Sequence, residues 1–428
     1  IPPLTDAVVK PGEKVPPAKW DAFGPALFET VKNRTTGVES KTDSVLNFMA
    51  LIEKFSAQRK DPKDINDAVA AFNTGINKEF GSTIRAGKVS FEAWYEHFAP
   101  ITIATRLYVV CGVLAFLSFA FARNTLRRTA FWLCVITLLV HTTAIVCRVY
   151  ISERPPVATL YSAAVFIGWA MVLFCTITEL LFPVSISVLV ASVTGFLTLL
   201  VANALAIGDS MPVLEAVLDT QFWLATHVVS VSLGYSATFV AGFLGIGIVI
   251  ATLIARLAPA SRTPASSFKL KVAPKSSDSG GIGKSATDAI PTLYRICYGV
   301  VCFGLFFSFV GTVLGGLWGD DSWGRFWGWD PKENGAMMIV LWNALLLHAR
   351  WDKMIAALGF GILAVFGNII TAWSMFGTNL LGVGLHSYGF NATTFNYLAF
   401  FALSQVIVIA IGAGLVLFRG TKSSAELQ

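Results

Sequence analysis

Trp318, Trp323, Trp327 and Trp329 fall within one short run, Trp318-Gly-Asp-Asp-Ser-Trp323-Gly-Arg325-Phe-Trp327-Gly-Trp329-Asp330-Pro331-Lys332-Glu333, between two strongly apolar segments. Indole rings offer flat apolar surface, and Arg325 and Lys332 add cations beside it. That set suits a large planar ligand carrying carboxylates, and haem is such a ligand. The end of the run has the chemistry of a helix start, with Asp330 at N-cap, Pro331 at N1 and Glu333 at N3. A helix N-terminus favours anions. Trp also gathers at membrane interfaces as a plain anchor, and the density of the run argues against that simpler reading.

The chain has five histidines. His227 (Trp223-Leu-Ala-Thr-His227) and His386 (Gly382-Val-Gly-Leu-His386-Ser-Tyr388) flank the tryptophan run in sequence. Two imidazoles beside an aromatic plate could ligate one haem iron. The same pair would also suit an aromatic belt. His348 and His141 lie in apolar segments, where an ionisable group is costly and points to function. They could serve a second, deeper haem, or bond a helix carbonyl or hydroxyl. His97 reads as a solvated or interfacial residue.

Composition sets what must carry these residues. Of 428 residues, 55% are hydrophobic and 14% charged, which is the balance of a polytopic membrane protein. The fold class expected is all-α, a transmembrane helix bundle of about nine spans. Windows of ~20 apolar residues place them near 101–121, 129–150, 160–180, 184–205, 222–255, 293–317, 335–350, 354–378 and 396–418. Residues 1–100 hold no such window. Their amphipathic stretches near 43–60 and 64–80 predict a small helical extracytoplasmic domain. Residues 101–420 form the membrane domain, interrupted by a Ser-, Pro-, Gly- and Lys-rich loop at 257–290 that reads as a flexible cytoplasmic linker.

Basic residues such as Arg127, Arg128, Arg256, Lys269, Arg350, Lys353 and Arg419 fall in alternate loops. The positive-inside rule puts those loops in the cytoplasm, and the N-terminal region, the tryptophan run and the His386 loop outside. The net charge of +6 thus follows topology, and no nucleic-acid partner is expected. Gly280-Gly-Ile-Gly-Lys284-Ser285 lacks the first glycine of a phosphate loop, having Asp278 there, and no strand precedes it. The six cysteines lie in apolar segments without a Cys-x-x-Cys pair, as small hydrophobes do. The chain begins at Ile1, which reads as a processed product, a fragment or the rear of a longer chain, with no cleavable signal in view.

Together these segments resemble the Ccs-type cytochrome c synthases: CcsA (ResC), or the C-terminal half of fused CcsBA, in the wider tryptophan-rich (WWD) haem-handling family. The resemblance rests on Trp323 to Glu333, Leu347-His348-Ala-Arg350 and Gly382 to Gly389, with support from Arg154 to Tyr161 and the His227 segment with Tyr235. Ser162 and Ala163 stand where that family often has an aromatic or acidic residue. The resemblance implies a haem lyase (holocytochrome c synthase) that carries haem b to the outer membrane face. Its catalytic loop would be Trp323, Trp327, Trp329 and Asp330, with Trp318, Arg325 and Lys332 holding the haem. His227 and His386 match the two external ligands, and His348 a transmembrane ligand whose partner lies in a CcsB-type companion. His141 is the weaker candidate. The partners implied are apocytochrome c, through Cys-x-x-Cys-His thioethers, the companion and membrane lipid. The place implied is the bacterial inner membrane. A haem exporter, or an electron-transfer subunit without ligation activity, is the alternative.

Overall fold

The computed structural model describes residues 43–56, 62–80, 85–119, 121, 123–183, 185–205, 211, 219–257, 282–384 and 392–418. Among these residues there are helices and turns and no strand. The chain divides into two compact units, Ile1–His97 and Phe98–Gln428. In the first, α1 (Asp43–Ser56) packs on α2 (Pro62–Phe80). Phe48 meets Phe72 at 5.6 Å between ring centroids, and Lys54 pairs with Asp64 at 3.1 Å. Helix α3 (Ala86–Phe98) follows.

The second unit is the bundle: α4 (Pro100–Leu117), α5 (Arg123–Ser152), α6 (Leu160–Leu181), α7 (Ile186–Leu205), α8 (Val229–Leu257), α9 (Ile282–Trp323), α10 (Pro331–Trp351), α11 (Ala357–Ala372) and α12 (Ala392–Leu417). A short turn, Gln221–Trp223, and a π-helical segment, Leu224–Val228, lead into α8. A second π-helical segment, Trp373–Gly377, and a 3-10 turn, Thr378–Leu380, follow α11.

Helix α8 is the hub and packs on α6, α9 and α11. Small residues make that possible, as they do wherever helices associate in lipid. A Cβ on Gly311 would lie 2.7 Å from the Val231 backbone, and one on Gly234 2.6 Å from the Ser308 nitrogen. Gly245 packs directly on the Gly361 carbonyl. Buried polar side chains bond across the same contacts: Asn343 to Thr238 at 3.0 Å, and Asn368 to Gln405 at 2.9 Å.

Eight helical runs among the described residues are long and apolar enough to cross a membrane, where about nine were expected. The difference is α10. It is helical over 21 residues, but Lys332, Glu333 and Asn334 at one end, His348 and Arg350 at the other, and Asn343 between them dilute its apolar character. Helix α9 also outruns its expected span at both ends. It begins at Ile282, inside the expected linker, and runs to Trp323, so Trp318 and Trp323 are helical residues. The rest of the linker, 258–281, lies outside the described residues.

Candidate functional site

The tryptophan run is built from one helix end, one turn and one helix start. Gly324, at φ +68°, ends α9, its N–H bonding the Asp320 carbonyl at 2.9 Å. Before that stop, Trp318 and Trp323 stack at 6.5 Å with 25° between their planes. Trp318 is 7% exposed, and its indole N–H finds no acceptor among the described residues. After the stop the chain runs without regular structure to Asp330, which caps α10 by accepting the Lys332 N–H at 2.9 Å. Glu333 reaches back, and its Oε2 accepts from the Gly328 N–H at 2.8 Å and the Asp330 N–H at 3.1 Å. The capping chemistry read from Asp330 and Glu333 therefore fixes the loop as well as the helix.

His227 lies in the first π-helical segment, a widened turn of the kind that recurs at functional sites. Its Nδ1 is 2.7 Å from the Gly311 carbonyl. A carbonyl only accepts, so Nδ1 carries the proton and the lone pair sits on Nε2. A metal-ligating histidine is commonly oriented in this way. A Cβ on Gly315 would come within 2.6 Å of His227 Cε1, so glycine there leaves room for the ring. The imidazole faces Trp318 at 5.6 Å. The second π-helical segment also reaches the site, where Met375 lines it. Its Ser374 and Met375 carbonyls accept from Lys332 Nζ at 3.0 and 2.8 Å, and Ser374 Oγ meets the Tyr235 hydroxyl at 3.0 Å.

These groups wall one open cleft of about 210 Å³. His227, Trp318, Trp323, Trp327, Lys332 and Tyr235 line it, over an apolar floor from α6 and α8. Lys332 presents part of its surface to the cleft and is enclosed elsewhere.

The remaining expected residues are placed differently. Trp329 is outside the cleft lining, 69% exposed, with its ring perpendicular to Trp327 at 6.2 Å. Arg325 is exposed, its guanidinium packed against Gly328. His348 is exposed on α10, beside Trp351 at 5.6 Å and about 24 Å along the helix from Lys332. His141 is fully buried. Its Nε2 lies 3.1 Å from the Val165 carbonyl and its Nδ1 3.1 Å from the Tyr108 hydroxyl, so both ring nitrogens are engaged within the bundle. His386 lies outside the described residues. Gly384, two residues before it, has φ +85° and packs against the Asp330 carboxylate.

The reading of single residues missed what supports them: the Gly311 carbonyl, the space at Gly315 and the Ser374 and Met375 carbonyls. The spacing Gly311-x-x-x-Gly315 within an apolar segment was the available signal for close helix approach.

The chain aligns with a CcsA cytochrome c biogenesis protein of Prochlorococcus marinus (strain MIT 9313) at 30% identity over 266 residues, 59% of this chain and 81% of that protein. It aligns with the protein NrfI of Wolinella succinogenes at 28% identity, over 69% of this chain and 30% of that longer protein. Among solved structures, the cytochrome c haem lyase CcmF superposes with a TM-score of 0.49 and 17% identity, over 74% of this chain and 50% of that one. Residues 101–386, most of the chain and every residue that lines the cleft, match the cytochrome c assembly protein family, and the chain belongs to that family.

Proposed function

We propose that the cleft binds haem b at the outer membrane face and presents it for attachment to apocytochrome c. The observation that carries this reading is His227: its Nδ1 proton is held by the Gly311 carbonyl, which puts the lone pair on Nε2, and its ring sits on a cleft walled by three tryptophans and a lysine. His386, outside the described residues, would be the second residue to hold the iron. It follows Gly384 by two residues, a reach of at most about 7 Å, and Gly384 is seated on Asp330. Trp318, Trp323 and Trp327 offer the plane, and Lys332 the cation for carboxylates.

Haem brings two vinyl groups, and each thioether forms by addition of a cysteine S–H across one of them, with no net oxidant. This chain's residues bind and orient, and that positioning is where the rate gain arises. His348, an imidazole on the outward face of α10, is the kind of costly group that a CcsB-type companion and a second haem would cover. The alternation of basic loops supports a multi-pass protein with the cleft facing out, and the bacterial inner membrane is the place we infer for it.

The test is coexpression with an apocytochrome, followed by haem staining of the denatured product. Covalent haem that depends on His227 supports a synthase. Haem-loaded protein with no covalent product would mean export or electron transfer instead.

A further inference from the structure

We propose that Arg154, Asp219 and Gln221 are positioning residues for His227: they pin the turn that leads into the first π-helical segment and so set the direction of its imidazole. What that imidazole then does rests on the haem reading given above.

The turn Gln221–Trp223 has three residues, too few to hold a helical direction by themselves. The chain there is tied on two sides. On one, Arg154 grips Asp219 with its fork, Nε to Oδ1 at 3.0 Å and Nη2 to Oδ2 at 2.8 Å. Beside it Gln221 Nε2 donates to the Glu153 carbonyl at 2.6 Å, and Glu153 holds a left-handed φ of +54°. On the other side, Trp223 Nε1 donates to Asp321 Oδ2 of α9 at 3.1 Å. An ion pair open to solvent commonly adds little, and a bidentate pair is the better case. Here the two side chains are only 17% and 33% exposed.

Neither Arg154 nor Asp219 lines the cleft, yet each adjoins a segment that does. Val157, Ala158 and Thr159 follow Arg154, and Leu224 and His227 follow the pinned turn. The ties therefore join two lining segments from outside. A π-helical turn is wider by one residue than an α-helical one. Were that widening lost, residues ahead of α8 would swing by up to about 100°, and Nδ1 of His227 would leave the Gly311 carbonyl.

The test uses the full chain in nanodiscs, first without haem. Diethylpyrocarbonate modifies imidazole nitrogens, and peptide mass spectrometry reads His227 apart from the other histidines. Asp219→Ala and Gln221→Ala should each speed modification of His227 severalfold, because a ring released from Gly311 offers both nitrogens, and should lower haem occupancy after loading. Arg154→Glu combined with Asp219→Arg should restore both towards the wild-type values. A lower melting temperature with an unchanged His227 rate and an unchanged haem spectrum would make the ties an ordinary loop staple and overturn the proposal. A reversed pair that restores neither value would overturn the part given to the ion pair. Wild-type protein that takes up no haem, while the variants still raise the His227 rate, sinks the haem reading and leaves the positioning standing.

Discussion

At the scale of single residues, the site depends on where protons and atoms have room. With Nδ1 committed to Gly311, His227→Ala should abolish the haem band of the cleft, and added imidazole should restore it. An unchanged spectrum would exclude ligation. Gly315→Ala puts a Cβ 2.6 Å from the His227 ring. It should cost about 1–3 kcal/mol through overpacking, read as a lower melting temperature and lower haem occupancy together. Lys332 places its ammonium at the cleft, where the Ser374 and Met375 carbonyls accept from it. Lys332→Met should weaken affinity for a carboxylate-bearing ligand; unchanged affinity in that variant would remove Lys332 from the site.

At the scale of elements, the start of α10 does two jobs. Asp330→Ala removes the side-chain cap of α10 and should cost about 1 kcal/mol, too little to unfold the bundle. Glu333→Ala frees the Gly328 and Asp330 N–H groups together, so it should disturb the tryptophan loop more than the helix. Normal expression with reduced cytochrome maturation is the expected result, and full maturation would reduce Glu333 to an ordinary cap. This helix start is legible in the sequence because Asp-Pro-x-Glu is local chemistry. The end of α9 is not. Apolar windows stop near residue 317, yet stacking of Trp318 on Trp323 and packing on His227 carry the helix to Trp323. The π-helical segments are illegible for the same reason: a one-residue widening leaves the apolar pattern intact and depends on contacts between helices distant in sequence. The separation of Trp327, on the cleft, from Trp329, outside it, turns on one left-handed residue that composition does not report.

At the scale of the whole molecule, α10 decides the topology. If it lies flat on the membrane, the tryptophan run and Lys353 share a side, and the reading of alternate basic loops fails. Its 21 residues span about 31 Å, close to the hydrocarbon thickness of about 30 Å. Its charged residues sit at the ends, in Lys332, Glu333 and Arg350, and its one strongly polar central residue, Asn343, is buried against Thr238. Ile339, Leu346 and Leu347 are buried beside it, while Leu341 and Leu345 face outward. A helix polar only at its two ends, with its central amide satisfied by a neighbour, is built to cross. Single cysteines at two exposed positions test this directly: Arg325→Cys before α10 and Lys353→Cys after it. The native cysteines are buried or partly buried and should react slowly. An impermeant thiol reagent added to intact cells should label Arg325→Cys and reach Lys353→Cys only after lysis. Labelling of both from outside would lay α10 on the surface, and would separate His348 from any haem inside the membrane.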